Sequence, residues 1–470
     1  MPADGEGTRP PRVTVNVVAF DGHGDPVGDL TAGDFEIQDQ GRRQRIVHFR
    51  RNEGRPRLLP AAGHHEYSNR SETSVQQAAV IVLDLLNGNM TDRGSGWEGI
   101  NSALEHIESA NNLYLYILTA EAKMFPVHGL PDPEVDAAPQ QQAAQQEAWT
   151  QQIRALLDAA IRTVNRLKPL NDREPVQRVR ATYQALGMLT TQLAAIPGRK
   201  SVVWITRGVS LTIPLANGDL IDLTEPVRKY ATTLNRAGIA MYSVDHSGAL
   251  GNSHDALEQL ADLTGGRAYP GNNVEMAIPA AIVSAQGSYL IQYEPPPDNW
   301  DGKLHRIKVN STRKGIRLQS QQGYYAYPPP PGEDPMRTAF DAAAANPFDA
   351  SGIGLRTTVS LKPDTPHTVH FEIRIDPAGL QFVQQGDRQN CRLAIGFVGI
   401  VDKRLKSVEP VQVNVGLSKE QFELGMKSGI PLIHDEAVAD GVRKIRIVLL
   451  DLGSGETGTL TVPTPTPGSR

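Results

Sequence analysis

A lone cysteine, Cys391, in a chain of 470 residues excludes an intramolecular disulfide framework. Its alternation with Leu393, Ile395 and Phe397 predicts a core position on a strand, where the thiol acts as a small hydrophobe and not as a reactive group. No stretch reaches the roughly 18 consecutive apolar residues of a membrane-spanning helix, so no membrane span is expected. An excess of basic charge is also missing. Lys and Arg total 47 against 52 Asp and Glu, for a net charge of −5, and with no overall basic field nucleic acid is not an expected partner. The first residues, Met1 to Gly7, contain neither a basic n-region nor an apolar h-region. Two expectations follow: a cytoplasmic protein, or a periplasmic or secreted one whose signal was removed ahead of this numbering.

What the chain does contain is 43 glycines, 34 prolines and 39% apolar residues, a composition of packed cores joined by many turns and linkers, and its length suits about two to four domains. Val13, Val15 and Val17 alternate before the turn Asp21-Gly22-His23-Gly24, and Phe35 to Ile37 and Ile46 to Phe49 flank Asp39-Gln40-Gly41 as a hairpin. Residues 12–55 therefore read as a small β module, too small to stand alone and expected to be completed by strands from 300–327. The stretch from Arg50 to Ser74 is polar, without apolar period, and reads as a linker.

From Ala78 the pattern changes. Ala78 to Leu83, Leu113 to Leu118, Ser201 to Ile205 and Ile239 to Val244 are short continuous apolar runs, as in strands buried on both faces of a parallel sheet. Between them Ile153, Leu156, Leu157, Ala160, Ile161, Val164 and Leu167, and then Val176, Val179, Tyr183, Leu186 and Leu193, keep helical spacing. Alternating strands and helices predict a doubly wound, Rossmann-like α/β parallel sheet over residues 75–295, with Tyr289, Ile291 and Tyr293 as its closing edge strand. Pro328 to Asp334 opens a Pro-rich linker, residues 328–350. Beyond it Val369 to Ile375, Cys391 to Phe397, Val411 to Val415 and Ile445 to Leu449 recur with turn signals and no long helix. That spacing predicts a C-terminal all-β, immunoglobulin-like sandwich over 351–463.

Asp84 ends the first buried run, where open α/β sheets gather their ligands. The run Val80 to Asp84, the phrase Pro197-Gly198-Arg199-Lys200-Ser201-Val202-Val203-Trp204-Ile205, and Tyr242-Ser243-Val244-Asp245 resemble successive strands of a von Willebrand factor A domain. Leu30 to Ile37, Leu263 to Tyr269 and Gly323-Tyr324-Tyr325 resemble more narrowly the VWFA-related domain proteins of the Acidobacteria, so that the likeness covers about residues 12–327. The resemblance implies a metal-ion-dependent adhesion site built from Asp-x-Ser-x-Ser, a later Thr and a distal Asp, whose oxygens hold a hard divalent cation. This chain departs from it: Leu86 and Gly88 occupy the two Ser positions, and Arg207 falls where the distal Asp belongs.

A guanidinium there opposes a bound cation. Arg207 is expected either to pair with Asp84 in place of the metal or to reach into solvent, while Asp84, Asn87 and Asn89 are the donors left for a weak Mg2+ or Ca2+ site. No other cofactor is expected. Asp245-His246-Ser247 are adjacent in sequence, whereas a catalytic triad converges from separate segments, and no Gly-x-Ser-x-Gly elbow accompanies them. Gly198-Arg199-Lys200-Ser201 lacks the spacing of a phosphate loop and reads as a strand approach, and Gly265-Gly266 reads as a helix C-cap. The expected function is non-enzymatic: a protein- or peptide-binding, adhesion-type module with a degenerate metal site, its ligand face carrying Asp84, Asn87, Asn89, Arg207 and Asp245. The alternatives are a structural component of an envelope assembly and a hydrolase with an unrecognised site.

Overall fold

The computed structural model describes residues 12–465 except 53–56, 61–65, 72–73, 76, 88–91, 106–111, 132–154, 161, 163–174, 209–210, 215–216, 246–251, 329, 363–364, 366, 403 and 407. The chain is a mixed α/β protein with one mostly parallel sheet and several antiparallel ones.

The six-stranded sheet runs Arg267–Pro270, Ile239–Asp245, Lys200–Thr206, Ala79–Asp84, Leu113–Leu118, Met124–His128. All neighbours are parallel except Met124–His128, which returns antiparallel along the edge. Every residue of Ala79–Asp84, Leu113–Leu118, Lys200–Thr206 and Ile239–Asp245 is buried, which is why these segments carry unbroken apolar runs and no alternation. Each fully buried Val, Leu or Ile contributes about 1.5–3 kcal/mol. Two cores form on the two faces. Val80, Val82 and Trp204 pack with Val179, Leu186 and Leu193 of the helix Pro175–Ala194 and with Leu257 and Leu260 of Asn252–Thr264. Ile81, Leu83 and Ile205 pack with Ile100 of Asp92–Glu105 and with Ala277 and Ile278 of Val274–Gln286. Counted along the chain the strand order is 3-2-1-4-5-6 from the antiparallel edge. The winding therefore reverses between Ala79–Asp84 and Lys200–Thr206, the point at which a crevice opens beyond the strand carboxyl ends.

Gly265 has φ +73°, as a helix C-cap requires. At Gly266 close approach is the constraint, since a Cβ would stand 1.8 Å from the Met241 carbonyl oxygen.

Val13–Phe20 lies between Ser288–Tyr293 and Arg317–Gln319, and Phe35–Asp39 pairs with Leu304–Ser311. The two sheets share a core of Val15, Val17, Phe35, Ile37, Tyr289, Ile291 and Ile307. Ser288–Tyr293 is thus not the closing edge of the parallel sheet, as expected from its position after the last helix. It bonds Val13–Phe20 on one side and Ile46–Asn52 on the other, where its Tyr289 completes an aromatic cluster with Phe35 and Phe49.

Two antiparallel sheets form the C-terminal part. One is Ile430–Ala437, Thr368–Ile375, Leu355–Leu361 and Glu66–Ser68; the other is built around the long strand Arg388–Val401 with Lys444–Asp451 and Thr457–Pro463. They face each other across Val369, Phe371, Ile373, Cys391, Leu393, Ile447 and Leu449, a sandwich core. Two expectations need correction here. The polar stretch before Ser74 is no simple linker: Glu66–Ser68 adds an edge strand to the sandwich, and Arg70 inserts there against Asp376 at 2.7 Å and the carbonyls of Ser351 and Gly352. The Pro-rich linker contains the helix Pro335–Ala345, started by Asp334 as N-cap with Pro335 at the first helical position. Its Phe340 and Ala344 bury against Val398 and Val448. A second helix, Lys419–Ser428, begins with a Ser418/Gln421 capping box and ends at Gly429, φ +81°.

Candidate functional site

Asp84 stands at the carboxyl end of its strand, at the winding reversal, and is 1% exposed. Its Oδ1 accepts from the backbone N–H groups of Leu86 (2.9 Å) and Asn87 (3.0 Å), the local turn that Asp favours after a strand. Its Oδ2 accepts from Asn87 Nδ2 (2.8 Å), Trp204 Nε1 (3.2 Å) and Thr206 Oγ1 (2.8 Å). Trp204 and Thr206 project from one face of the neighbouring strand, two residues apart. Asn87 Nδ2 also donates to Thr182 Oγ1 at 2.9 Å, and that hydroxyl spends its own proton on the Arg178 carbonyl. The hydroxyl can then only accept, which fixes the amide nitrogen of Asn87, and not its oxygen, toward Asp84.

A carboxylate offers about four lone-pair sites, and five donors converge on this one. Burial pushes the Asp84 carboxyl up from its ordinary value, and the hydrogen bonds from Asn87, Thr206 and Leu86 pull it back. Four of the five donors are N–H groups that can only donate, an environment suited to a carboxylate.

Among the described residues, Asp84, Asn87 and Thr206 do not fit a divalent cation. A metal needs lone pairs directed at it, whereas Asn87 presents N–H, Thr206 presents O–H, and both Asp84 oxygens are occupied. Among the described residues no three His, Cys, Asp or Glu side chains converge in a way that could hold a metal. Asn89, the third expected oxygen donor, lies outside the described residues, as do His246 and Ser247. Arg207, expected either to pair with Asp84 or to reach into solvent, follows Thr206 directly and is half-buried; the donors to Asp84 are Leu86, Asn87, Trp204 and Thr206. Asp245 ends the next strand, opposite Thr206 in register, and is 2% exposed, with its carbonyl held by the Asn272 N–H.

The structure thus joins Asp84 and Asn87 by a hydrogen bond, with Arg207 directly after Thr206 on the neighbouring strand and Asp245 at the end of the strand beyond that. Sequence reading missed Trp204, Thr206 and Thr182. The first two had a legible signal, the i, i+2 placement of donors on the strand next to Asp84. Thr182 had none, because helix-to-loop contacts at that separation follow only from the fold.

Fold and site together define a mixed α/β protein whose switch-point carboxylate is closed by hydrogen bonds. No family model matches the chain, and no curated protein matches it. Among solved structures, the human COPII-coat protein Sec24c is similar over 57% of this chain, with 11% sequence identity and a TM-score of 0.27. The match covers 48% of that coat protein, so this chain spans about half of it.

Proposed function

We propose that the chain is a non-enzymatic binding module: a doubly wound domain of the von Willebrand factor A type, carried by an N-terminal β unit and a C-terminal immunoglobulin-like sandwich. In this reading it takes a protein or peptide partner without a bridging cation. The observation that carries it is the saturation of Asp84 by donors from Leu86, Asn87, Trp204 and Thr206. A carboxylate so held has no lone pair left for a cation and no access to a substrate proton. The strand order and the antiparallel edge strand support the assignment of domain type. Recognition at the crevice then rests on shape and on hydrogen bonds from groups such as Arg207, a planar donor suited to carboxylates and carbonyls.

The test is partner capture by the full chain from native envelope extract, once in chelator and once in Mg2+. One stoichiometric protein or peptide partner in both conditions, lost on Arg207→Ala, supports the proposal. A partner retained only with the cation overturns it, as does hydrolysis of ester or peptide probes abolished by Asp245→Ala. Self-assembly into an oligomer or lattice by light scattering, with no second component, selects a structural role in an envelope assembly.

A further inference from the structure

Lys200 begins the strand whose far end carries Trp204 and Thr206, so its side chain lies at the opposite edge of the sheet from Asp84. There the three parts of the molecule meet around a cavity of about 160 Å3, lined by Asn16 and Leu290 of the N-terminal β unit, Lys200 and Arg236 of the α/β unit, and Gly352 and Glu456 of the sandwich. Lys200 is 3% exposed. Its Nζ donates to the carbonyls of Ile196 and Gly198, at 2.8 Å each, and among the described residues it forms no ion pair. Asn16, 4% exposed, has a side-chain oxygen with no hydrogen-bond partner. The acid facing Lys200 from the sandwich, Glu456, is held by Arg50 of the β unit at 2.9 Å.

An ammonium buried without a paired carboxylate is costly, and two events relieve the cost. One is loss of the proton. A neutral amine keeps two N–H groups, enough for both carbonyls, so the closed junction loses no hydrogen bond. The other is parting of the units, which hydrates the charge. We propose that Lys200 makes this three-way junction a pH-sensitive joint, its neutral amine suiting the closed arrangement and its ammonium favouring the opened one.

The charged groups around it are Glu456 and Arg50, which act in opposite directions, and Arg236, which lines the cavity from the helix Thr224–Arg236; Thr14, Asn16 and Leu290 are neutral. Burial pushes the Lys200 amine down to about 7 from 10.5, with Glu456 raising it and Arg50 lowering it further. The sign follows by linkage. Below about pH 7 both arrangements are protonated and the closed-to-open ratio is flat; from about 7 to about 10.5 the open form holds a proton the closed form lacks, so each pH unit favours closure up to about tenfold.

Hydrogen exchange of the full chain tests this at amides of residues 195–201 and 454–457, with rates corrected for the chemical pH dependence of exchange. Protection there is expected to rise about tenfold between about pH 7.5 and about pH 8.5, and Lys200→Met is expected to be flat at the high-pH level. Glu456→Gln, which removes the group that raises the amine, moves the onset to lower pH and serves if the first variant does not fold. A flat wild type, an unchanged slope in Lys200→Met or an unmoved onset in Glu456→Gln overturns the proposal. So does an equal slope at the interior of Lys444–Asp451, which would assign the effect to global unfolding.

Discussion

Asp84→Ala removes the acceptor of five hydrogen bonds from a site that is 1% exposed. Two of the donors have another outlet: Asn87 Nδ2 keeps Thr182 Oγ1, and the Thr206 hydroxyl can rotate. The backbone N–H groups of Leu86 and Asn87 and the Trp204 indole N–H have none. Buried donors left unsatisfied cost about 1–3 kcal/mol each, and a water entering the vacated volume recovers part, so the loss comes to about 3–5 kcal/mol. For a unit of this size about 2–4 °C of Tm accompanies each kcal/mol, which predicts a fall of about 10 °C in the transition of the α/β unit by calorimetry. Asp84→Asn keeps one acceptor for the two backbone groups but turns an NH2 toward Asn87 Nδ2 and Trp204 Nε1, and should lose about 2 kcal/mol. A fall below about 2 °C for Asp84→Ala, or any rise, refutes the reasoning. Functional sites commonly trade stability for activity, so a rise is what a working ligand site at Asp84 would give.

Three other perturbations read the rest of the fold. Arg70→Ala strands the fully buried Asp376 with only the 3.5 Å contact to Arg57 and the Ala378 N–H. Loss of a buried pair's partner costs about 3–5 kcal/mol, and urea denaturation of the sandwich showing under about 1 kcal/mol would contradict it. Burial, with Asp451 adding to it, pushes the Cys391 thiol up to about 12, so iodoacetamide at mildly alkaline pH should label it only after unfolding; rapid labelling of the native chain would place it at the surface. Gly266→Ala sets a Cβ 1.8 Å from the Met241 carbonyl oxygen and is expected to abolish soluble expression or lower the melting temperature; an unchanged melting curve would contradict a close approach of that turn to Ile239–Asp245.

The parallel sheet was legible because its strands are buried on both faces, and Ala79–Asp84 and Ile239–Asp245 carry that condition as unbroken apolar runs. Alternation shows that Ser288–Tyr293 is a strand but not which sheet receives it, and its partners Val13–Phe20 and Ile46–Asn52 lie more than 230 residues away. Arg70 in a polar stretch looks solvated until the carboxylate of Asp376 and two carbonyls are brought to it. At the crevice the same limit held. Asp84 stood out by its place after an apolar run, and Leu86 and Gly88 showed that the usual hydroxyls were missing. The donors come partly from backbone and partly from the strand Lys200–Thr206, whereas the position of the distal Asp in the resembled pattern points to Arg207, one residue beyond Thr206.

Hydrogen-bond donors close the switch-point carboxylate to metal. Calorimetric titration of the full chain with Mg2+ and with Ca2+ tests it directly. No saturable heat, with a melting curve unchanged by either ion, is the predicted result. Sub-millimolar binding that disappears in Asp84→Ala would contradict it.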